Sequence, residues 1–244
     1  MPAAGLGCPR LPRRFVDREH MIVIYESDPA AIRAAAPEPL VPDPSNRVFC
    51  EWIRMPASSG FGDYTESGVV IPCSFNGRPC TFVAQKYLGD DPPIAAGHEI
   101  WGFHRKYARP KLETAADALT GALDYAGQRV ATGTMACEQA LHARELARTE
   151  ASLRKLQCML KIIPDIDGGP ALAQLVGIEN TDVTVKGSWT GPARLDLVPH
   201  VNAPVANLPV RRTLGGRHFV ADLTLPAGRV LVDYLRDSDV RRAA

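Results

Sequence analysis

Neither sign of charge prevails in this chain of 244 residues: 28 Lys and Arg stand against 27 Asp and Glu, a formal net charge of +1, with no block of like charge. Nucleic acid and other polyanions are therefore not expected as partners. Long apolar runs are missing too. The stretch Met21-Ile22-Val23-Ile24-Tyr25 falls far short of the roughly 18 to 20 residues that a spanning helix needs, so no membrane segment is expected. The start, Met1 to Arg14, is interrupted by Pro2, Pro9 and Pro12 and has no apolar stretch of the kind a secretory leader carries. The six cysteines (Cys8, Cys50, Cys73, Cys80, Cys137, Cys158) contain no C-x-x-C pair, and a chain of this length folds without a disulfide framework. They read as buried or half-buried thiols of a cytoplasmic protein.

Motifs are scarce as well. There is no G-x-G-x-x-G opening a helix after a strand, no Walker A loop, no H-E-x-x-H and no G-x-S-x-G, which removes nucleotide-fuelled and zincin chemistry. The histidines are scattered, His98 and His104 being the closest pair, so no metal and no cofactor is assigned. No repeat or linker-like tract divides the chain, and residues 1–244 read as a single domain.

What is present is an ordinary globular composition, 45% hydrophobic and 23% charged, with 20 Gly and 21 Pro favouring short strands and turns over long helices. His20 to Ser27 reads as a strand. Ser27-Asp28-Pro29 caps a short helix over Ala30 to Ala36, stopped by Pro37 and Pro39. Arg47 to Met55 is a second strand. Gly68 to Phe75 and Arg78 to Leu88 form a hairpin around Asn76-Gly77, because both residues tolerate the positive φ of a tight turn. A second hairpin is expected around Ala126-Gly127-Gln128, its alanine-rich first arm from Ala115 being equally able to start as a helix. Leu141 to Leu156 carries strong helix formers. Cys158 to Ile163, Ala171 to Ser188, Arg194 to Val198, His218 to Leu225 and Val230 to Tyr234 read as strands. The fold class is α+β, predominantly antiparallel β, built as a barrel or sandwich.

A set of segments then resembles the acetoacetate decarboxylase family. They include Asp17-Arg18-Glu19, Pro37-Glu38-Pro39-Leu40, the run Gly62 to Gly68 (GDYTESG), Ile71 to Gly77 (IPCSFNG) and Gly97 to Phe103 (GHEIWGF). Met159 to Pro164, Thr181 to Thr184 and Trp189 to Pro192 continue the match along nearly the whole chain. The resemblance implies a β-rich fold with a closed barrel and an internal pocket, a homo-oligomer, and a small keto acid as partner. It also implies a carbon–carbon lyase, a decarboxylase or aldolase-type enzyme, working through a lysine Schiff base. The family is itself the standard illustration of a lysine activated by an apolar pocket or a cationic neighbour.

In the family the nucleophile is the first lysine of a Pro-Lys-Lys-like segment. Here that segment is His104-Arg105-Lys106, pinned by Gly97 and Glu99 before it and Pro110-Lys111-Leu112 after it, so Arg105 stands in the nucleophile's place. A guanidinium stays protonated and forms no enamine. Lys106 is the first choice as replacement, although alternation along a strand would aim it away from a pocket that 105 faces. Lys86, within the apolar strand Thr81 to Leu88, is the second choice. Arg18, Glu51 and Glu66 match the family's arginine and two carboxylates, suited to docking a carboxylate and to holding one proton between a glutamate pair. Phe103 keeps the aromatic before the segment, and His104 adds a titratable group. Trp52, Trp101 and Trp189 read as core or subunit-contact residues. Two further readings stay open: a cyclase, isomerase or dehydratase of a larger keto compound that uses Arg105, Glu66 and His104 without a Schiff base, and a non-catalytic binding protein that retains the pocket.

Overall fold

The structure is a computed structural model that describes residues 10–136 and 138–236. Among these residues it is mostly strand. A large sheet runs in the order Gln139–Ala140, Thr181–Gly191, Arg212–Leu225, Arg13–Glu26, Arg47–Met55, Tyr64–Phe75, Arg78–Leu88, Leu156–Pro164, Pro170–Ile178 and Arg229–Asp233. Neighbours pair antiparallel except around Arg78–Leu88, which runs parallel both to Leu156–Pro164 and to the short strand Arg105–Tyr107. The first and last strands of this order do not pair with each other, so the sheet is open and the closed barrel implied by the resemblance is not formed. A four-stranded sheet of Ala193–Leu197, Gln128–Met135, Ala118–Tyr125 and Arg109–Ala115 packs over one face.

The turn chemistry is borne out. Asn76 (φ 49°) and Gly77 (φ 76°) join Tyr64–Phe75 to Arg78–Leu88, and Ala126 and Gly127 join the second hairpin, whose first arm is strand and not helix. The helices Pro29–Ala35 and Ala143–Leu153 also form. The run Ala171 to Ser188 is two strands, not one, broken at Glu179-Asn180. A short helix Asp91–Ala96, continued by a wider turn Gly97–Trp101, was not signalled by the sequence. None of the described helices is long and apolar enough to cross a membrane.

Period-two alternation gives the central strands two different faces. Met21, Val23 and Tyr25, with Cys50 and Trp52, enter a large apolar cluster shared with the small sheet. Trp52 fits against Gly121 and Gly133, which sit opposite each other in register. A Cβ on either would lie 2.2 or 2.5 Å from the indole, so the slot exists only with glycine there. Trp101 is equally buried, and Trp189 is packed at the edge of the core. Cys50, Cys73, Cys80 and Cys158 are buried free thiols; Cys8 and Cys137 lie outside the described residues. The opposite face of the same strands carries the site.

Candidate active site

Arg18 and His20 alternate onto this second face from the first strand, Glu51 and Ile53 from the next, and Tyr64 and Glu66 from the third. On the fourth strand the parity changes. Thr81 and Val83 face the site, whereas Ala84 is an extra residue bulged between the pairs Val70–Val83 and Val69–Gln85. One inserted residue reverses every side chain beyond it. Lys86 thereby joins the site face, and Tyr87 joins the apolar core.

The register aligns Glu51, Gly68, Lys86 and Arg105 in one row across four strands. Gly68 leaves the gap in that row. A Cβ there would lie 2.7 Å from Cδ of Lys86, so its absence lets the lysine stem cross the strand and reach the far side. Lys86 is 3% exposed, and its Nζ donates to Glu51 Oε1 at 2.5 Å and to Glu66 Oε1 at 2.9 Å. Arg105 enters over Gly97, where a Cβ would overlap the guanidinium. Its Nη2 donates to Glu66 Oε2 at 3.1 Å, its Nη1 donates to the Pro93 carbonyl, and its Cζ stands 4.9 Å from the centre of the Phe103 ring. Arg18 Nη2 meets Glu66 Oε1 at 3.5 Å.

Burial alone would raise the pKa of Glu66, but the attraction of Lys86, Arg105 and Arg18 prevails and holds it at about 2. Glu66 is therefore held as a carboxylate. Tyr64 is pushed up to about 12 by burial, against the pull of Arg105, and stays a neutral phenol. Burial, with the nearby positive charges of Arg18 and Lys86, holds His20 well below the ordinary histidine value.

These groups border a cavity of about 310 Å³ whose remaining wall is largely apolar, with Ile22, Phe49, Ile53, Met55, Val83 and Phe103 among its lining. Helix Ala143–Leu153 closes one side with Glu145, Arg148, Thr149 and Ser152. The volume lies at the lower end of small-molecule sites.

The structure thus brings Arg18, Glu51, Glu66, Lys86, Phe103 and Arg105 together, and leaves out two expected residues. Lys106 pairs in register with Tyr87 and follows it to the other face, where its Nζ donates to the Asn202 carbonyl at 2.8 Å. Alternation along Arg105–Tyr107 gives that result once Arg105 faces inward. His104 is exposed and takes no part in the lining. His20, Gly68 and Tyr64 belong to the site and escaped the sequence reading. Their signal was parity, since His20 is two residues from Arg18, and Gly68 and Tyr64 are each two from Glu66.

The family model described as acetoacetate decarboxylase (ADC) matches residues 1–235. A protein of Acidiphilium cryptum (strain JF-5) named acetoacetate decarboxylase is 49% identical over 236 residues, covering 96% of this chain and 95% of its own. One from Chromobacterium violaceum with the same name is 48% identical over 237 residues, covering 97% and 95%. The crystal structure of acetoacetate decarboxylase from Legionella pneumophila superposes with a TM-score of 0.88 at 42% identity, over 96% of this chain and 94% of that one. A match of this extent, joined to the buried charged row on one face of the sheet, places the chain in the acetoacetate decarboxylase family.

Proposed function

We propose that this protein decarboxylates a small β-keto acid through a Schiff base formed on Lys86. The observation that carries the reading is the position of Lys86 Nζ: buried, inside an apolar cavity, and bracketed by Glu51 and Glu66.

Attack on a ketone requires the neutral amine, so a proton must leave Nζ first. Glu66 is neutralised by three cations, which leaves Glu51, at 2.5 Å, as the acceptor. Arg18 has an Nε without a partner among the described residues and offers the substrate carboxylate a donor. Nitrogen adds to the carbonyl carbon, the oxygen departs as water, and a cationic iminium remains. The bond from the α-carbon to the carboxylate then breaks. Its electron pair flows into the iminium to give an enamine, and carbon dioxide leaves. This step removes a negative and a positive charge together, so a poorly polarisable, water-poor cavity favours it. Protonation of the enamine carbon and hydrolysis release the ketone and restore the amine. Arg105 keeps a second cation at the family's nucleophile place and, with Lys86, sets the orientation of Glu66.

The non-covalent alternative uses Arg105 with Glu66 or His104 as its acid–base group; the His104 ring does not line the cavity, and three cations hold Glu66 ionised. Incubation with acetoacetate and borohydride, followed by peptide mass spectrometry, tests the proposal. A reduced adduct on Lys86 is expected and none on Lys106. An adduct on another lysine, or none with β-keto acids of increasing chain length, overturns it.

A further inference from the structure

His20 is a buried histidine that the chemistry above does not use. It is 3% exposed, and neither Nδ1 nor Nε2 has a hydrogen-bond partner among the described residues. Leaving two ring nitrogens unsatisfied in a protein interior is costly unless a ligand or water meets them. The ring is not loose. It stacks on Phe219 with centroids 4.3 Å apart and planes 17° from parallel, and it lines the cavity. His20 pairs in register with Ile53, so Glu51, two residues along that strand, is its diagonal neighbour on the same face. Such diagonal positions lie about 7–8 Å apart, within the span of one small substrate group. Arg18, the candidate carboxylate donor, precedes it by two residues on the same face.

Proton accounting gives this ring a task. Condensation of a lysine ammonium with a ketone yields an iminium and water, so two of the three ammonium protons end on the departing oxygen. Glu51 accepts the first. With Glu66 fixed as a carboxylate by three cations, a second carrier beside the reacting carbon spares Glu51 from serving both transfers.

We propose that His20 is a catalytic proton carrier for the condensation and hydrolysis steps, taking the proton that the Lys86 nitrogen sheds after attack and delivering it to the oxygen that leaves as water. In hydrolysis the direction reverses: His20 takes a proton from the water that adds to the iminium carbon, and returns it to the nitrogen as the carbon–nitrogen bond breaks. No oxidant, metal or further reactant is needed. Burial and the cations Arg18 and Lys86 keep the imidazole neutral at rest, and both of its ring nitrogens are without a partner among the described residues, so one can accept a proton.

The inference rests on Lys86 as the nucleophile, and one experiment separates the two. Acetone in ¹⁸O-labelled water exchanges its oxygen through the iminium without any decarboxylation. The wild-type protein is expected to catalyse exchange, and Lys86→Met to abolish it. His20→Phe keeps the stack on Phe219 and removes both nitrogens. It is expected to slow exchange and kcat together by about 100-fold or more, with KM within about threefold. Added imidazole is expected to restore part of the exchange in His20→Ala, a rescue that a purely structural ring would not show. Should His20→Phe fail to fold, His20→Asn is measured in its place with the same expectation. Exchange in either folded variant within about threefold of wild type overturns the role of His20 while leaving Lys86 intact. A wild-type protein that catalyses no exchange overturns both.

Discussion

The same central strands build two unlike surfaces, one residue apart. On one face Met21, Val23, Tyr25, Cys50 and Trp52 pack against the small sheet in a cluster with no charged member. On the other face Arg18, Glu51, Glu66, Lys86 and Arg105 are almost as deeply buried, yet each is tied to an opposite charge. The apolar face tolerates only changes of shape, because its stability comes from filled volume. The charged face is a compensated network in which removing one member strands the others. Its burial therefore reports a use, since apolar residues of similar size would fill the space at no electrostatic cost.

The contrast is broken most severely at the lysine pair. Lys86→Met is expected to fold and to lower kcat on the order of 10⁴-fold or more, while Lys106→Met, on the face away from the cavity, changes it by less than about threefold. Steady-state decarboxylation assays check both. Glycine positions come next. Gly68→Ala places a methyl 2.6 Å from the Gln85 carbonyl oxygen and 2.7 Å from the Lys86 stem, and is expected to cost on the order of 100-fold in kcat through displacement of the amine, with some loss of stability from the backbone contact. Gly121→Ala, against Trp52 on the core face, is expected to lower stability by about 1–3 kcal/mol in urea unfolding while leaving activity per folded molecule nearly unchanged.

Acid separates the faces as well. Glu66 is held below its ordinary value, so its stabilising effect is complete above the pH at which an unfolded glutamate ionises and is lost as pH falls through about 2. Glu66 is expected to contribute roughly 3 kcal/mol of the fall in unfolding free energy between pH 4.5 and 2 in urea titrations, and Glu66→Gln is expected to lose that share while the limb from Glu19, Asp222 and the other lowered carboxylates remains. A smaller change than the lysine and glycine substitutions at the site is expected of Arg105→Lys. Alone it keeps a cation beside Glu66, gives up the donor to the Pro93 carbonyl and the stack on Phe103, and is expected to reduce kcat by about tenfold. In the Lys86→Met background it returns an amine to the family's place and is expected to restore borohydride trapping at position 105.

Much of the fold was legible because it follows local rules. Asn76-Gly77 and Ala126-Gly127 encode their turns, and the strand Arg47–Met55 was readable to the residue. The sheet's failure to close was not legible, since closure depends on which distant edges meet. Within the site, Arg18, Glu51, Glu66, Phe103 and Arg105 were found by resemblance. Lys86 ranked below Lys106 because facing depends on parity, and the bulge at Ala84 that sets the parity of Lys86 leaves no mark in the residue types around it. His20 was hidden because the first strand was started at His20 instead of Arg13, which concealed its shared face with Arg18.

Lys86 and Arg105 are register partners on adjacent parallel strands, with both side chains turned into the same cavity. Two such places are interchangeable addresses for one point in space. A side chain at either position reaches the same cavity from an adjacent strand. Relatives with a substituted nucleophile position should be judged by what stands beside it across the sheet.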